Sequence, residues 1–340
     1  MYDFYSDTKT KPSAEMRKAV LDCDVGDEQK DEDATTLKLC SRVADLLGKE
    51  KALFLPSGTM CNEIAINLHT SPGDEIICEN SSHIINFETG APAAISNVMT
   101  NALKGINGIF EPEQLVAAIR GPSRYAPITS LVCVEQTSNM SGGTIWPLNK
   151  LNAITKEAKR FGLKTHMDGA RLMNACVKTG IEAKTYAKYF DSVWLDFSKG
   201  LGAPIGAVLA GSEEFIFKAW RIKQRLGGAM RQSGIVTSMC LYALDNNIDR
   251  LEDDHELATF LKTEIAKLNL VESVLPVESN IVIFDLNEKA MSATALVDKL
   301  KEDKIILGAF GDRRIRIVTH LDVDPEAGEI LIDRLKNYLN

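Results

Sequence analysis

Lys199 follows the apolar run Ser192-Val-Trp-Leu-Asp-Phe197 and sits among small residues in Ser198-Lys-Gly-Leu-Gly202. Most lysines are solvated surface groups. A lysine taken out of water has a lowered pKa and can attack an aldehyde as a free amine, and the glycines leave room for a bulky adduct. Asp168, in His166-Met-Asp-Gly-Ala-Arg171, closes a second apolar run. It either caps the next helix or pairs with the cationic ring nitrogen of a cofactor. Arg171 either pairs with Asp168 or holds an anionic ring substituent. Ser57-Gly58-Thr59 lies between a strand and a helix. Unpaired N–H groups and the helix dipole suit a phosphate there, although Ser-Gly-Thr is also a common turn and cap.

An amine for an aldehyde, an acid for a ring nitrogen and a cup for a phosphate are together what pyridoxal 5'-phosphate requires. The elements that would position them read as an α/β protein. Apolar runs at 52–55, 130–135, 163–167, 192–197 and 205–210 alternate with helical segments. Leu148, Leu151, Ile154, Ala158 and Phe161, spaced by three or four, mark one amphipathic helix. Continuous apolar strands between helices predict a mostly parallel sheet covered on both faces, with ligands at the strands' C-terminal ends. The acidic stretch 26–36 reads as a solvated loop before a helix at 37–47. Beyond Asp245 the texture changes to a long helix near 246–268, strands near 280–285, 305–310 and 314–318, and helices near 293–302 and at the C-terminus. That predicts a large α/β domain over residues 1–245 and a small C-terminal α+β domain over 246–340.

Composition bounds the alternatives. The chain has 340 residues, 45% of them apolar, and a net charge of −8. A nucleic-acid binder would normally carry the opposite sign. No apolar run approaches the ~18 residues of a membrane span, and the first residues lack the pattern of a signal peptide. The expectation is a cytoplasmic protein acting on a small molecule, without nucleic-acid or membrane partners. Seven cysteines (Cys23, Cys40, Cys61, Cys78, Cys133, Cys176 and Cys240) are scattered without a Cys-x-x-Cys pair, so neither a disulfide framework nor a metal site is expected.

The sequence also resembles the low-specificity L-threonine aldolases, fold type I (aspartate-aminotransferase-like) enzymes of the β-eliminating lyase group. The resemblance is carried by Ser6-Asp-Thr-Lys-Thr-Lys-Pro-Ser13, Leu55-Pro-Ser-Gly-Thr59, Met167-Asp-Gly-Ala-Arg171, Ser198-Lys-Gly-Leu-Gly202, Gly227-Gly-Ala-Met-Arg-Gln-Ser-Gly234 and Arg316-Ile-Val-Thr-His-Leu-Asp322. It implies a seven-stranded, mostly parallel sheet and retro-aldol cleavage of β-hydroxy-α-amino acids to glycine and an aldehyde, with pyridoxal 5'-phosphate as cofactor. It further implies that Lys199 binds the cofactor's aldehyde and Asp168 its ring nitrogen. Gly58 and Thr59 would take the phosphate, with Arg231 reaching in from a neighbouring subunit of a homodimer or homotetramer. His83 would stack on the ring and Arg171 would sit by its phenolic oxygen. Ser6 and Arg316 would hold the substrate carboxylate. In Arg314-Ile-Arg-Ile317, alternation puts both arginines on one face, compatible with a clamp or with the charges that protect an edge strand.

Two stretches depart from the family pattern. Glu135-Gln-Thr-Ser-Asn139 stands where relatives carry Glu-Asn-Thr-His-Asn, so Ser138 replaces a histidine thought to contact the substrate hydroxyl. Asp27-Glu-Gln-Lys-Asp-Glu-Asp-Ala-Thr35 places Lys30 where relatives carry tyrosine. Both changes would fall on the substrate side. His83 then becomes the expected base, since a serine is too weakly basic, and Lys30 would favour an acidic β-substituent such as that of 3-hydroxyaspartate. A β-eliminating lyase or racemase, breaking another bond at the same carbon, and a non-catalytic carrier of the cofactor stay as alternatives.

Overall fold

The computed structural model describes residues 1–340. Its centre is a seven-stranded sheet in the spatial order Lys51–Leu55, Ala207–Gly211, Ser192–Asp196, Lys164–Asp168, Thr129–Glu135, Glu75–Glu79, Met99–Leu103. Only Ala207–Gly211 runs antiparallel to its neighbours. Ser192–Asp196 and Ala207–Gly211 are buried along their whole length, as continuous apolar runs between two helical layers require.

Two strands of this sheet escaped the sequence reading. Glu75–Glu79 carries a charge at each end, and Met99–Leu103 is a partly exposed edge strand with Thr100 and Asn101 in it. The Glu75 carboxylate is tolerated because Arg120 and the Thr129 hydroxyl bind it, at 2.8 and 3.2 Å. The helix expected at 37–47 runs over Ala34–Leu47. Asp33, read as part of a solvated loop, is buried and accepts from the backbone N–H of Thr36, Gly26 and Gly234. A carboxylate holding three backbone donors fixes the helix start and ties it to the distant helix Gly234–Asn246.

A second sheet is antiparallel, in the order Gly308–Ala309, Arg314–Val318, Ile281–Leu286, Val271–Val274. Arg314–Val318 therefore has a neighbour on each side and is no edge strand, which removes the protective reading of its arginines. The expected strand 305–310 splits: Ile305–Ile306 pairs with Tyr2–Asp3 instead, and Phe4 accepts from the Val318 N–H at 2.9 Å. Where one long helix was expected over 246–268, Leu251–Ile265 follows the separate helix Gly234–Asn246 and packs against both Leu172–Thr179 and Pro325–Leu339. All seven cysteines are free, and five are buried among apolar side chains. No helix is long and apolar enough to cross a membrane.

Candidate active site

Three neighbouring strands end on a carboxylate: Thr129–Glu135 on Glu135, Lys164–Asp168 on Asp168, and Ser192–Asp196 on Asp196. The first two face each other in register. Above them lies a cavity of about 300 Å³, whose floor is the sheet and whose opposite wall is Arg316, Phe310 and the N-terminal segment. Of the residues singled out in the sequence, Ser6, Gly58, Thr59, His83, Asp168, Arg171, Lys199 and Arg316 all line it.

Lys199 Nζ lies 3.2 Å from Asp196 Oδ2 and over the Trp194 indole. Asp196 Oδ1 in turn accepts from the Ser198 N–H at 2.7 Å, so the turn that carries the lysine is fixed by the strand it leaves. Asp168 is buried. Its Oδ1 accepts from the Ala170 N–H at 3.0 Å and its Oδ2 from the Asn62 amide at 2.9 Å, so it caps the following turn and faces the cavity at once. Gly58 opens the helix Gly58–His69, with Ser57 as its cap. A Cβ at Gly58 would fall 2.2 Å from the Trp194 ring, so only glycine permits this close approach of backbone to indole.

His83 Nδ1 is 2.8 Å from Glu88 Oε1, and its backbone N–H donates to Glu135. Burial alone would lower the His83 pKa, but the Glu88 hydrogen bond and the Asp168, Glu88 and Glu135 charges overcome it and raise it. Burial, with the Asp168 charge, pushes Glu135 up to about 7 against the N–H groups of His83 and Asn139.

The two buried arginines differ. Arg171 makes a two-pronged pair with Asp7, at 2.8 and 2.7 Å, and not with Asp168. Despite burial, that guanidinium holds the Asp7 carboxyl well below the usual range. Arg316 has no carboxylate. Nη1 donates to Asn139 Oδ1 at 3.0 Å, Nη2 to the Tyr5 carbonyl at 3.2 Å, and buried Nε has no partner. Burial, then the Arg171 charge, lowers it to about 10. Ser6 is held beside it by bonds with Thr8. Arg314, which alternation put on the same face, pairs with Asp285 outside the cavity.

Three expected site residues do not line this cavity. The Ser138 hydroxyl is packed against Gly108, where an added Cβ would fall 2.0 Å from it, and its N–H donates to the Thr144 carbonyl. Its neighbour Asn139 faces the cavity instead. Lys30 is exposed at the end of the short helix Glu28–Lys30. Arg231 is exposed too and pairs with Asp27 at 2.8 Å. The Glu28 N–H donates to the Arg231 carbonyl, so Lys30 and Arg231 share one surface patch. Sequence reasoning missed Asn62, Glu88, Glu135, Asn139, Trp194 and Asp196. The strand-end acids had a signal, since each closes an apolar run next to a candidate already chosen. The others come together only through the fold.

The β-eliminating lyase family matches residues 3–289. A probable low-specificity L-threonine aldolase 2 of Arabidopsis thaliana is 38% identical over 95% of this chain and 94% of that protein. The low specificity L-threonine aldolase of Escherichia coli K12 is 33% identical over 96% of each. Among solved structures, the Leishmania major threonine aldolase superposes with a TM-score of 0.85 at 20% identity, covering 99% of both chains, a likeness of fold. A full-length match to these relatives, on a chain whose own cavity gathers five of the six quoted motifs, leaves one conclusion: the chain belongs to the β-eliminating lyase family.

Proposed function

We propose that the protein is an aldehyde-lyase that cleaves β-hydroxy-α-amino acids of the threonine type to glycine and an aldehyde, with pyridoxal 5'-phosphate as cofactor. The observation that carries this reading is that a half-buried lysine, paired only with Asp196, and a buried arginine without a carboxylate partner face one cavity. An uncompensated buried cation is costly, and Arg316, whose Nε has no acceptor, suits an amino acid's carboxylate. The residues also fit the cofactor. The indole-backed glycine cradle at Gly58 and Thr59 would take the phosphate at a helix N-terminus. Asp168, held by two donors, would face the ring nitrogen, His83 would lie against the ring, and Arg171 would lie near its oxygen. When bound at Lys199, the cofactor supplies an electron sink for the bond broken at the substrate's Cα.

The protein's own part is to orient and to move protons. Arg316 and Ser6 hold the carboxylate, and Asn139 steers Arg316. His83, with Nδ1 committed to Glu88, presents Nε2 to the substrate hydroxyl and takes its proton. Ser138 takes no part. Lys199 would be a free amine, beside Asp196, while the substrate occupies the site, and would take the cofactor back as glycine leaves. Residues 1–245 form the cofactor domain and 246–340 the small one in this reading. Arg231, exposed and outside its own chain's cavity lining, acts across a homodimer or homotetramer, and Lys30 travels with it. A role for Lys30 toward an acidic β-substituent then depends on the partner.

The test is aldehyde and glycine release from the cofactor-loaded protein with L-threonine, L-allo-threonine, phenylserine and 3-hydroxyaspartate at equal concentration. Release from at least one is the expected result. No release from all four, with a keto acid and ammonia formed instead, would favour β-elimination.

A further inference from the structure

Asn62 is fully buried, and each polar atom of its side chain is engaged. It lies one turn into the helix Gly58–His69. Its Oδ1 accepts from the Trp194 indole N–H at 2.7 Å. An indole N–H can only donate, so the amide orientation is fixed and both N–H bonds point the other way. One goes to Asp168 Oδ2 at 2.9 Å and the other to Glu88 Oε1 at 2.8 Å. Glu88 Oε1 is the same atom that binds His83 Nδ1. A single amide thus ties the acid meant for the cofactor ring to the carboxylate that orients the proposed base.

A second set of groups lies behind it. His166 Nε2 is 3.1 Å from Asn62 Oδ1, His166 Nδ1 is 2.8 Å from Ser192 Oγ, and Ser192 Oγ is 2.8 Å from His69 Nε2. Burial holds both imidazoles neutral, His166 down to about 3 and His69 to about 4. The polarity of the whole chain follows. Asn62 Oδ1 only accepts, so His166 Nε2 carries its proton and His166 Nδ1 accepts from the serine hydroxyl. Ser192 Oγ in turn accepts from His69 Nε2–H. Each link donates toward Asp168. The period-two placement of His166 with Asp168, and of Ser192 with Trp194, puts these groups on one face of two paired strands, beneath the helix. His69, the last residue of that helix, stacks on Phe215 and lines a separate groove containing Lys164 and Asp191.

We propose that Asn62 is a positioning residue that couples Asp168 to the Glu88–His83 pair, and that the one-way chain His69–Ser192–His166 locks its amide from behind. This rests on the reading of Asp168 and His83 given above. Neither Asn62, His166, Ser192 nor His69 lines the cavity, so each acts through another residue. A satisfied network of this kind polarises its members and holds a carboxylate in one orientation, whereas a half-satisfied one is worse than none.

The test compares wild type, Asn62→Ala and Ser192→Ala as purified full-length proteins. The readouts are the Kd for pyridoxal phosphate by absorbance titration of the apo form, kcat and KM for the best of the four substrates, and the melting temperature. Asn62→Ala is expected to weaken cofactor binding by about 10-fold and to lower kcat by about 10- to 100-fold, the size of lost charge-assisted hydrogen bonds. KM should stay within about 3-fold, because Arg316 is untouched. Ser192→Ala, which removes one hydroxyl behind the site, is expected to move the same two constants in the same direction by about 3-fold. If Asn62→Ala fails to fold, Ser192→Ala carries the test alone. Cofactor binding and kcat unchanged in the folded variants, or a lowered melting temperature with both constants intact, would overturn the proposal. Wild-type protein that binds no pyridoxal phosphate would instead remove the functional reading beneath it.

Discussion

The two walls of the cavity are built on opposite principles. On the sheet side, Asp168, His83 and Glu88 line the cavity and are joined, through Asn62 behind them, by hydrogen bonds of 2.8 and 2.9 Å. On the opposite side, Arg316 is held by two neutral oxygens and keeps a buried Nε without a partner. A wall whose donors are satisfied is preorganised for a permanent occupant. A wall that keeps a charged donor open has its last partner supplied from outside. In the proposed function the sheet side would hold the cofactor and the far side what comes and goes. The far side is assembled from Arg314–Val318 of the second sheet and from the N-terminal segment, whose strand Tyr2–Asp3 pairs separately with Ile305–Ile306.

Substitutions on the two walls should therefore fail differently. The largest effect is expected for Arg316→Ala, with kcat/KM down by about 100-fold or more, carried mainly by KM, because a buried charge-assisted clamp on the carboxylate is lost. Steady-state kinetics with L-threonine decides it; a fall confined to kcat would merge the two walls. Glu88→Gln breaks the sheet side. The Glu88 charge raises the His83 pKa, so removing it lowers that pKa, and the base stays neutral to lower pH. The acid limb of the kcat–pH profile should move down by about one unit, a change worth ~1.4 kcal/mol. An unmoved limb would mean that His83 does not take the proton. The smallest effect is expected for Ser138→Ala, with kcat/KM within about 2-fold of wild type, since its hydroxyl packs on Gly108. A larger loss in a folded variant would return Ser138 to the substrate side.

The same contrast governs what the sequence revealed. Lys199, Asp168 and Gly58 were legible because each ends an apolar run or opens a helix, so local pattern fixes both residue type and place. Arg316 was legible as to face, yet its strand was open to an edge-strand reading because pairing with Gly308–Ala309 and Ile281–Leu286 is a long-range fact. His69 and His166 showed no interpretable spacing: 97 residues separate them, and only the packing of the helix Gly58–His69 onto two strands links them through Ser192. The motif comparison that put Lys30 on the substrate side carries position, not direction, and within its own chain the short helix it ends turns it to the surface with Arg231. The acidic stretch misled for the reverse reason. Charge suggested solvent, whereas Asp33 and Glu28 are buried, Glu28 against the ammonium of Lys223, itself buried.

The most direct test of the account is where the cofactor attaches. The protein is loaded with pyridoxal phosphate, reduced with borohydride and digested, and the labelled peptide is identified by mass spectrometry, with Lys199→Ala treated in parallel. A single label on Lys199, absent from the variant, is the result this account requires. A label on another lysine, or equal labelling of the variant, would contradict it.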